Sequence, residues 1–121
     1  MWDHDPASRA LGMALLELGP GRAVVAMTVR PDMVNGYDVC HGGLVATLAD
    51  SAFALACNSR GRKTVAAGFD VTFLEPAHGG DVLVATAEER ALRGRSGVYD
   101  VTVRHEETVI AEFRGRSRSV G

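Results

Sequence analysis

One segment constrains the fold of this chain more than any other. From His41 to Asn58 it runs without proline, and its apolar residues recur at spacings of one, three and four. That period belongs to an α-helix, and Gly61 follows the segment as a stop signal. We therefore predict one long helix over about 41–58. The apolar positions that define it are Leu44, Val45, Leu48, Ala52, Leu55 and Ala56.

The rest of the chain consists of short apolar runs separated by glycine or proline. Such runs are typical of strands, and residues 98–103 alternate with a period of two. One or two helical turns are also expected over 6–13. The predicted strands are Met13–Leu18, Arg22–Val29, Thr64–Leu74, Asp81–Ala91, Gly97–Arg104 and Val109–Ser117.

A single long helix among six strands decides the fold class. Repeated β-α-β winding would need a helix at every crossover between parallel strands, so it is excluded. The chain is predicted to be α+β, with one six-stranded antiparallel sheet and the helix laid across it. Its 121 residues fit a single domain over 1–121.

Composition excludes several function classes. A net charge of -2 supplies no general attraction to nucleic acid, and no cofactor fingerprint such as GxGxxG occurs. No run of about 18 apolar residues is free of Asp and Arg, so we expect no membrane span. The polar start, MWDHDPASRA, does not resemble a signal peptide. Two cysteines without a CxxC spacing fit a reduced, cytoplasmic protein.

The predicted helix carries almost no charge, which is unusual for a helix with one face in water. Asp50 is the only acid in the run from Gly42 to Ser59. One face can pack on the sheet of the same chain, but the chain has no spare residues to cover the other. We therefore predict a symmetric oligomer in which a second copy covers it.

Asp50 lies about 200° around the helix from Leu48, so it is predicted to point away from the sheet. A carboxylate partly buried at an interface is costly unless it has polar neighbours. Three interpretations are open: a cap of a second helix that begins at Ser51, a structural hydrogen bond across an interface, or a general base or nucleophile in a cleft.

The helix opens with His41-Gly42-Gly43. Glycine costs about 1 kcal/mol relative to alanine in a helix interior, but it leaves the backbone N–H accessible. The first amides of a helix have no partner within it and favour negative charge, which suits a developing oxyanion. His41 is a poor cap, so the amides would stay open. The alternative is that glycine only avoids a clash where the chain enters the helix.

Gly42 and Asp50 are too far apart to serve one site in one chain. Eight residues separate them, which is about 12 Å along the helix axis. A base must lie within about one water of the carbonyl that is attacked. Two helices packed antiparallel across a two-fold axis would bring the start of one beside the middle of the other. We therefore predict a composite site, with the dimer as the minimal active unit.

These residues resemble the hotdog-fold acyl-CoA thioesterases. Asn35, His41-Gly42-Gly43 and Leu48-Ala49-Asp50 carry the likeness to the wider family. Further stretches resemble the phenylacetate-catabolism branch, which acts on phenylacetyl-CoA and hydroxyphenylacetyl-CoA. These stretches are Met33–Gly36, Cys40–Gly43, Ala54–Ser59, Gly97–Asp100 and Phe113–Gly115.

The resemblance implies a hotdog fold, in which the sheet wraps around one long central helix. It implies dimers that usually pair into tetramers, and no metal or organic cofactor. Gly42 would donate its N–H to the thioester oxygen, and Asp50 of the partner would activate water as a general base or attack directly. Asn35 would orient the water, and His41 would support the loop that places Asn35. The family's assisting hydroxyl has no clear counterpart here, since Thr64 lies early in its strand.

The same resemblance implies where coenzyme A binds. The turn Arg93-Gly94-Arg95-Ser96 would lie where the pantetheine and nucleotide enter, with Phe73 alongside and Gly43 also among the substrate-binding residues. Arginine suits the phosphates of coenzyme A. The alternative for Arg93 and Arg95 is an ordinary solvated turn.

The leading function is therefore hydrolysis of acyl-CoA thioesters, with acyl-CoA as the partner molecule. A hydratase on the same fold is one alternative, but such enzymes pair their helix acid with a histidine a few residues later. No histidine follows Asp50 before His78. The other alternative is a non-catalytic protein that binds or senses acyl-CoA.

Overall fold

The computed structural model describes residues 2–120. Its helices are α1 (Pro6–Ala10) and α2 (Gly42–Asn58), and short 3₁₀ turns cover Trp2–His4 and Pro31–Met33. Its strands are β1 (Ala14–Gly19), β2 (Arg22–Thr28), β3 (Thr64–Phe73), β4 (Val82–Arg93), β5 (Ser96–His105) and β6 (Thr108–Ser119). All pairings are antiparallel, in the order β1-β2-β4-β5-β6-β3.

The predicted elements are present, and helix α2 contacts all six strands. It runs without a break through Asp50, so the interpretation of Asp50 as the cap of a second helix is wrong. Helix α1 is shorter than the predicted turns over 6–13. It ends because Leu11 caps it and Gly12 adopts a positive φ of 72°, which glycine accepts without strain.

The core lies between α2 and the sheet, where the helix comes very close to β6. Phe53 of α2 packs against Tyr99 and Phe113, with ring centroids 5.6 and 5.8 Å away. A Cβ at Gly115 would lie 2.8 Å from the Phe53 ring, so only glycine permits this approach. The contact fixes how α2 sits on the sheet and thereby the direction of its other faces.

Residues before β1 cover part of α2, which corrects one prediction. Ser8 is 2% exposed, and its Oγ lies 2.7 Å from Oγ of Ser51 on α2. Trp2 and Leu11 also pack against the core. The expectation that the chain has no residues to spare for the outer side of α2 is therefore wrong around Ser51. A stripe of partly exposed positions remains, made of Gly43, Thr47, Asp50 and Ala54.

Strand β3 forms one edge of the sheet, and its core-facing side is incompletely covered. Val71 pairs with the buried Phe113, so Phe69 and Phe73, two residues to either side, lie on the same face. Phe69 is 43% exposed and Phe73 is 50% exposed. Within one chain, an unpaired strand edge therefore lies beside an exposed apolar surface.

Candidate active site

A cleft of about 400 Å³ opens where α2 begins. It contains three of the four residues predicted to be catalytic, together with Phe73, because the loop before α2 and the end of β3 meet at this point. Most of the remaining wall is apolar. The lining of the cleft includes Asn35, Val39, His41, Gly42, Phe73 and Ile110.

The first two amides of α2 are unpartnered. His41 is the N-cap and makes no side-chain capping bond, while its carbonyl accepts from the amides of Leu44 and Val45 at 3.0 and 3.3 Å. Within residues 2–120, the amides of Gly42 and Gly43 donate no hydrogen bond. Two N–H groups at the positive end of a 17-residue helix are thus free to bind an anionic oxygen.

Gly42 also avoids a clash where the chain enters the helix, which was the alternative interpretation of this glycine. A Cβ at this position would lie 2.8 Å from Cζ of Phe73, so the aromatic ring packs directly on the glycine backbone. The ring is half exposed and can shift. Both interpretations of Gly42 therefore hold: it permits a close contact, and it leaves its amide accessible.

Asn35 organises the loop that leads to α2. Its Oδ1 accepts from the amides of Tyr37 at 2.8 Å and Val39 at 3.2 Å, which forms an Asx-type turn. The oxygen is thereby occupied, and the side-chain NH₂ remains as a donor. His41 supports this loop through its backbone, since its N–H donates to the Met33 carbonyl at 2.9 Å while its ring is exposed.

Asp50 lies two turns further along α2, outside the cleft of its own chain. The side chain is partly buried, and burial raises the pKa of its carboxyl group, with the negative charge of Asp5 as the second cause. No hydrogen bond within residues 2–120 stabilises its charged form. A carboxylate of this kind is a stronger base than an exposed aspartate, which suits proton abstraction near neutral pH.

The sequence from 37 to 112 matches the thioesterase superfamily. This match spans more than half of the 121 residues. The chain belongs to that superfamily. The hotdog fold and the resemblance to acyl-CoA thioesterases predicted from the sequence are therefore confirmed.

Two proteins align with this thioesterase-superfamily chain over all or nearly all of its length. It is 43% identical to acyl-coenzyme A thioesterase PaaI of Escherichia coli K12, over 100% of this chain and 87% of the relative. The solved structure of E. coli PaaI, from the phenylacetic acid degradation operon, matches with a TM-score of 0.98 over 100% of this chain and 88% of that one. The TT0310 protein of Thermus thermophilus matches with a TM-score of 0.93 at 41% identity, over 97% and 99%.

The β4–β5 turn of this thioesterase lies far from the cleft in the same chain. Arg62 donates to the Gly94 carbonyl at 3.4 Å, and the amide of Ser119 donates to the Arg95 carbonyl at 2.8 Å. Asn58, at the end of α2, donates to the carbonyl of Thr64 nearby. The turn 93–96 therefore stands at the C-terminal end of α2, whereas Phe73 stands at its N-terminal end. One chain does not place them side by side.

Sequence reasoning overlooked a basic cluster around this turn. No motif in the sequence links Arg62, Lys63 and Arg118 to the turn 93–96. All five cationic side chains here are exposed, and none forms an ion pair within residues 2–120. The register of the strands brings these residues together, because Arg118 in β6 pairs with Val65 in β3 and with Ser96 in β5. The cluster consists of Arg62, Lys63, Arg93, Arg95 and Arg118.

Arg114 and Arg116 of β6 are not part of this cluster, because both form ion pairs. Arg114 donates twice to Asp100, at 2.7 and 2.8 Å, and Arg116 donates to Asp70 at 3.0 Å. Both arginines lie on the outer face of the sheet, away from the cleft.

Across the described range 2–120, no group of three His, Cys, Asp or Glu side chains is arranged to hold a metal ion. No helix in that range combines the length and the apolar composition needed to cross a membrane.

Proposed function

We propose that this chain hydrolyses acyl-CoA thioesters, with phenylacetyl-CoA and hydroxyphenylacetyl-CoA as its substrates. The observation that carries the proposal is the pair of unpartnered amides of Gly42 and Gly43 at the edge of an apolar cleft. Phe73, Val39 and Ile110 give that cleft an apolar lining suited to an aromatic acyl group. The 43% identity to an acyl-CoA thioesterase supports the same reaction class.

The active unit is a dimer, which pairs further into a tetramer. Three features of one chain support this: the free edge of β3, the exposed rings of Phe69 and Phe73, and the partly exposed stripe on α2. A second copy packed with its α2 antiparallel would cover all three. Gly42 of one protomer and the partner's Asp50 would then face the same thioester.

Each residue has a distinct role in the proposed reaction. The partner's Asp50 takes a proton from water as that water attacks the thioester carbon, and Asn35 orients the water with its NH₂ group. The carbonyl oxygen becomes an oxyanion and accepts from the Gly42 amide. When the oxyanion collapses, the carbon–sulfur bond breaks, and the leaving thiolate takes the proton from Asp50. The products are the free acid and coenzyme A, and no cofactor takes part.

The basic cluster binds the nucleotide end of coenzyme A in this proposal. If Gly42 faces the partner's Asp50, the C-terminal end of the partner's α2 lies eight residues, about 12 Å, beyond that acid. The partner's turn 93–96 would then stand beyond the thioester, on the side of the cleft towards which coenzyme A extends, a position that one chain alone does not supply. Arg93 and Arg95 would contact the phosphates, with Gly94 and Ser96 forming the turn. The cytoplasmic location stays a prediction.

A thiol-release assay tests the function. We expect turnover of phenylacetyl-CoA with a higher kcat/KM than of straight-chain acyl-CoAs, because the cleft is apolar and the aromatic ring of Phe73 lines it. Binding of phenylacetyl-CoA without release of thiol would instead establish the non-catalytic sensor. Addition of water to an enoyl-CoA, again without thiol release, would establish the hydratase.

Neutralising Arg93 and Arg95 together is expected to raise KM for phenylacetyl-CoA by about 10- to 100-fold, since each lost bond to a phosphate costs about 1.5–3 kcal/mol before solvent screening reduces it. The double variant R93Q/R95Q should leave kcat nearly unchanged. The N-acetylcysteamine thioester of phenylacetate lacks the nucleotide, so its hydrolysis should be unaffected. Arg104→Gln, an exposed arginine on another part of the sheet, is the matched control. An equal loss on both substrates would contradict the assignment.

A further inference from the structure

The residues before β1 are fastened to α2 one position beyond Asp50. Ser8 Oγ donates to Oδ2 of Asp5 at 2.7 Å, and this uses its single proton. Ser51 must therefore be the donor in the 2.7 Å bond between the two serine hydroxyls. A directional chain of hydrogen bonds thus runs from Ser51 through Ser8 to the Asp5 carboxylate. Both serines are buried, so the chain is shielded from competition by water.

Asp5 is held in place from both sides. Its Oδ1 accepts from the Ser8 amide at 3.0 Å, which makes it the N-cap of α1. Its Oδ2 accepts from the Ser8 hydroxyl. The local geometry of α1 therefore fixes the carboxylate, and the contact between Ser8 and Ser51 fixes α1 against the helix that carries Asp50.

We propose that Asp5 is a positioning residue of the thioesterase site: the hydrogen bonds through Ser8 and Ser51 hold its carboxylate against α2, next to the turn that carries Asp50, where its negative charge acts on the general base. This inference rests on the proposed function, in which Asp50 is the general base. The residues before β1 would then contribute to catalysis as well as to packing. Ser8 and Ser51 would contribute by holding the two acids at a constant separation.

The charges around Asp50 support this role. Burial is the larger cause of its raised pKa, and Asp5 is the only charged group among residues 2–120 that adds to it. Cys57, on the same helix, also interacts with Asp50. Burial raises the pKa of the Cys57 thiol to about 11, so Cys57 is neutral where the enzyme would work. A neighbouring negative charge disfavours the ionised form of Asp50 and so strengthens it as a proton acceptor.

The test is the pH dependence of kcat/KM for phenylacetyl-CoA in Asp5→Asn. Asparagine is an equally good N-cap, so the variant keeps α1. Its NH₂ group can donate to Ser8 Oγ while Ser8 donates to Ser51, so the contact between the two serines is kept with its direction reversed, and the charge is removed. Activity requires ionised Asp50 and falls as the pH drops through its pKa. Removal of the Asp5 charge lowers that pKa, so the acidic limb of the profile should move to lower pH. Asp3→Asn removes an equal charge from an exposed position and should leave the limb unmoved.

An acidic limb that stays in place in Asp5→Asn, in a variant with an unchanged melting temperature, would overturn the inference. So would an equal displacement in Asp3→Asn, because any nearby acid would then suffice. Asp50→Asn separates this result from a failure of the proposed function. If Asp50→Asn remains active, Asp50 is not the base. If it is inactive while the Asp5→Asn limb is unmoved, only the role of Asp5 fails.

Discussion

Replacing Asp50 by asparagine is expected to lower kcat for phenylacetyl-CoA by about 10²- to 10⁴-fold, the usual contribution of a positioned general base. The variant keeps the shape of the side chain and removes its ability to take a proton. The fold should not suffer, because no hydrogen bond within residues 2–120 depends on the charge. Thiol release gives kcat, and size-exclusion chromatography checks the oligomer.

The same substitution should also stabilise the protein at neutral pH. Burial and Asp5 raise the pKa of Asp50 in the folded state, so folding favours the protonated form. That advantage is present at low pH and is lost as the pH rises through the folded-state pKa. Asparagine carries no charge at any of these pH values, so Asp50→Asn does not lose this stability as the pH rises. Its melting temperature should therefore exceed that of the wild type at neutral pH and approach it in acid. For the activity measurement, Asp3→Asn is the control and should keep the kcat of the wild type. If Asp50→Asn keeps it as well, the general base is a different residue.

Removing the amide proton of Gly42 is expected to lower kcat by about 10²- to 10³-fold, as the loss of one oxyanion donor does in other enzymes. Gly42→Pro achieves this within the helix geometry, because proline is well accepted at the first helical position. His41, with φ of -57° and ψ of 132°, already has the extended backbone that a following proline requires.

Gly42→Ala is the matched control for this experiment. Alanine and proline both add a Cβ, which would lie 2.8 Å from the ring of Phe73, but only alanine keeps the N–H. The difference in kcat between the two variants therefore isolates the amide from the displacement of Phe73. Equal losses in both would mean that Gly42 is needed only for the close contact, and the proposed oxyanion site would be wrong.

Mixing Asp50→Asn with Gly42→Pro tests the composite site directly, since each variant alone is expected to have lost most of its activity. In a mixed dimer, the Asp50→Asn chain supplies an intact Gly42, and the Gly42→Pro chain supplies an intact Asp50. Random reassociation makes half of the dimers mixed, and each holds one intact site, so about a quarter of wild-type activity should return. A site formed within one chain would recover nothing.

Most of the fold could be predicted because its signals are local. The helical period around Leu48, the alternation in β5 and the glycine-containing turns each lie within a few consecutive residues. The order of the strands depends on pairings such as Thr64 with Ser119, which no local pattern encodes. The bond from Ser8 to Ser51 spans 43 residues and lies between two ordinary serines, so nothing in the sequence indicated it.

The candidate site was predicted in part. The glycines, Asn35 and Asp50 could be chosen because their residue types and spacing suit the chemistry. Their local interactions could not be predicted, since the Asx-type turn of Asn35 and the packing of the Phe73 ring on Gly42 depend on distances in the folded chain. The basic cluster escaped notice because its members come from three separate parts of the chain.

The strand order has a consequence for the path by which the chain folds. Strand β6 is the last strand along the chain, yet it lies between β5 and β3. Strand β3 therefore has no neighbour in the sheet until β6 has docked, so a long loop must close before this part of the sheet can form. Any intermediate without β6 would expose both edges of β3 together with Phe69 and Phe73. The surface that we assign to dimerisation would then also be the most aggregation-prone surface during folding.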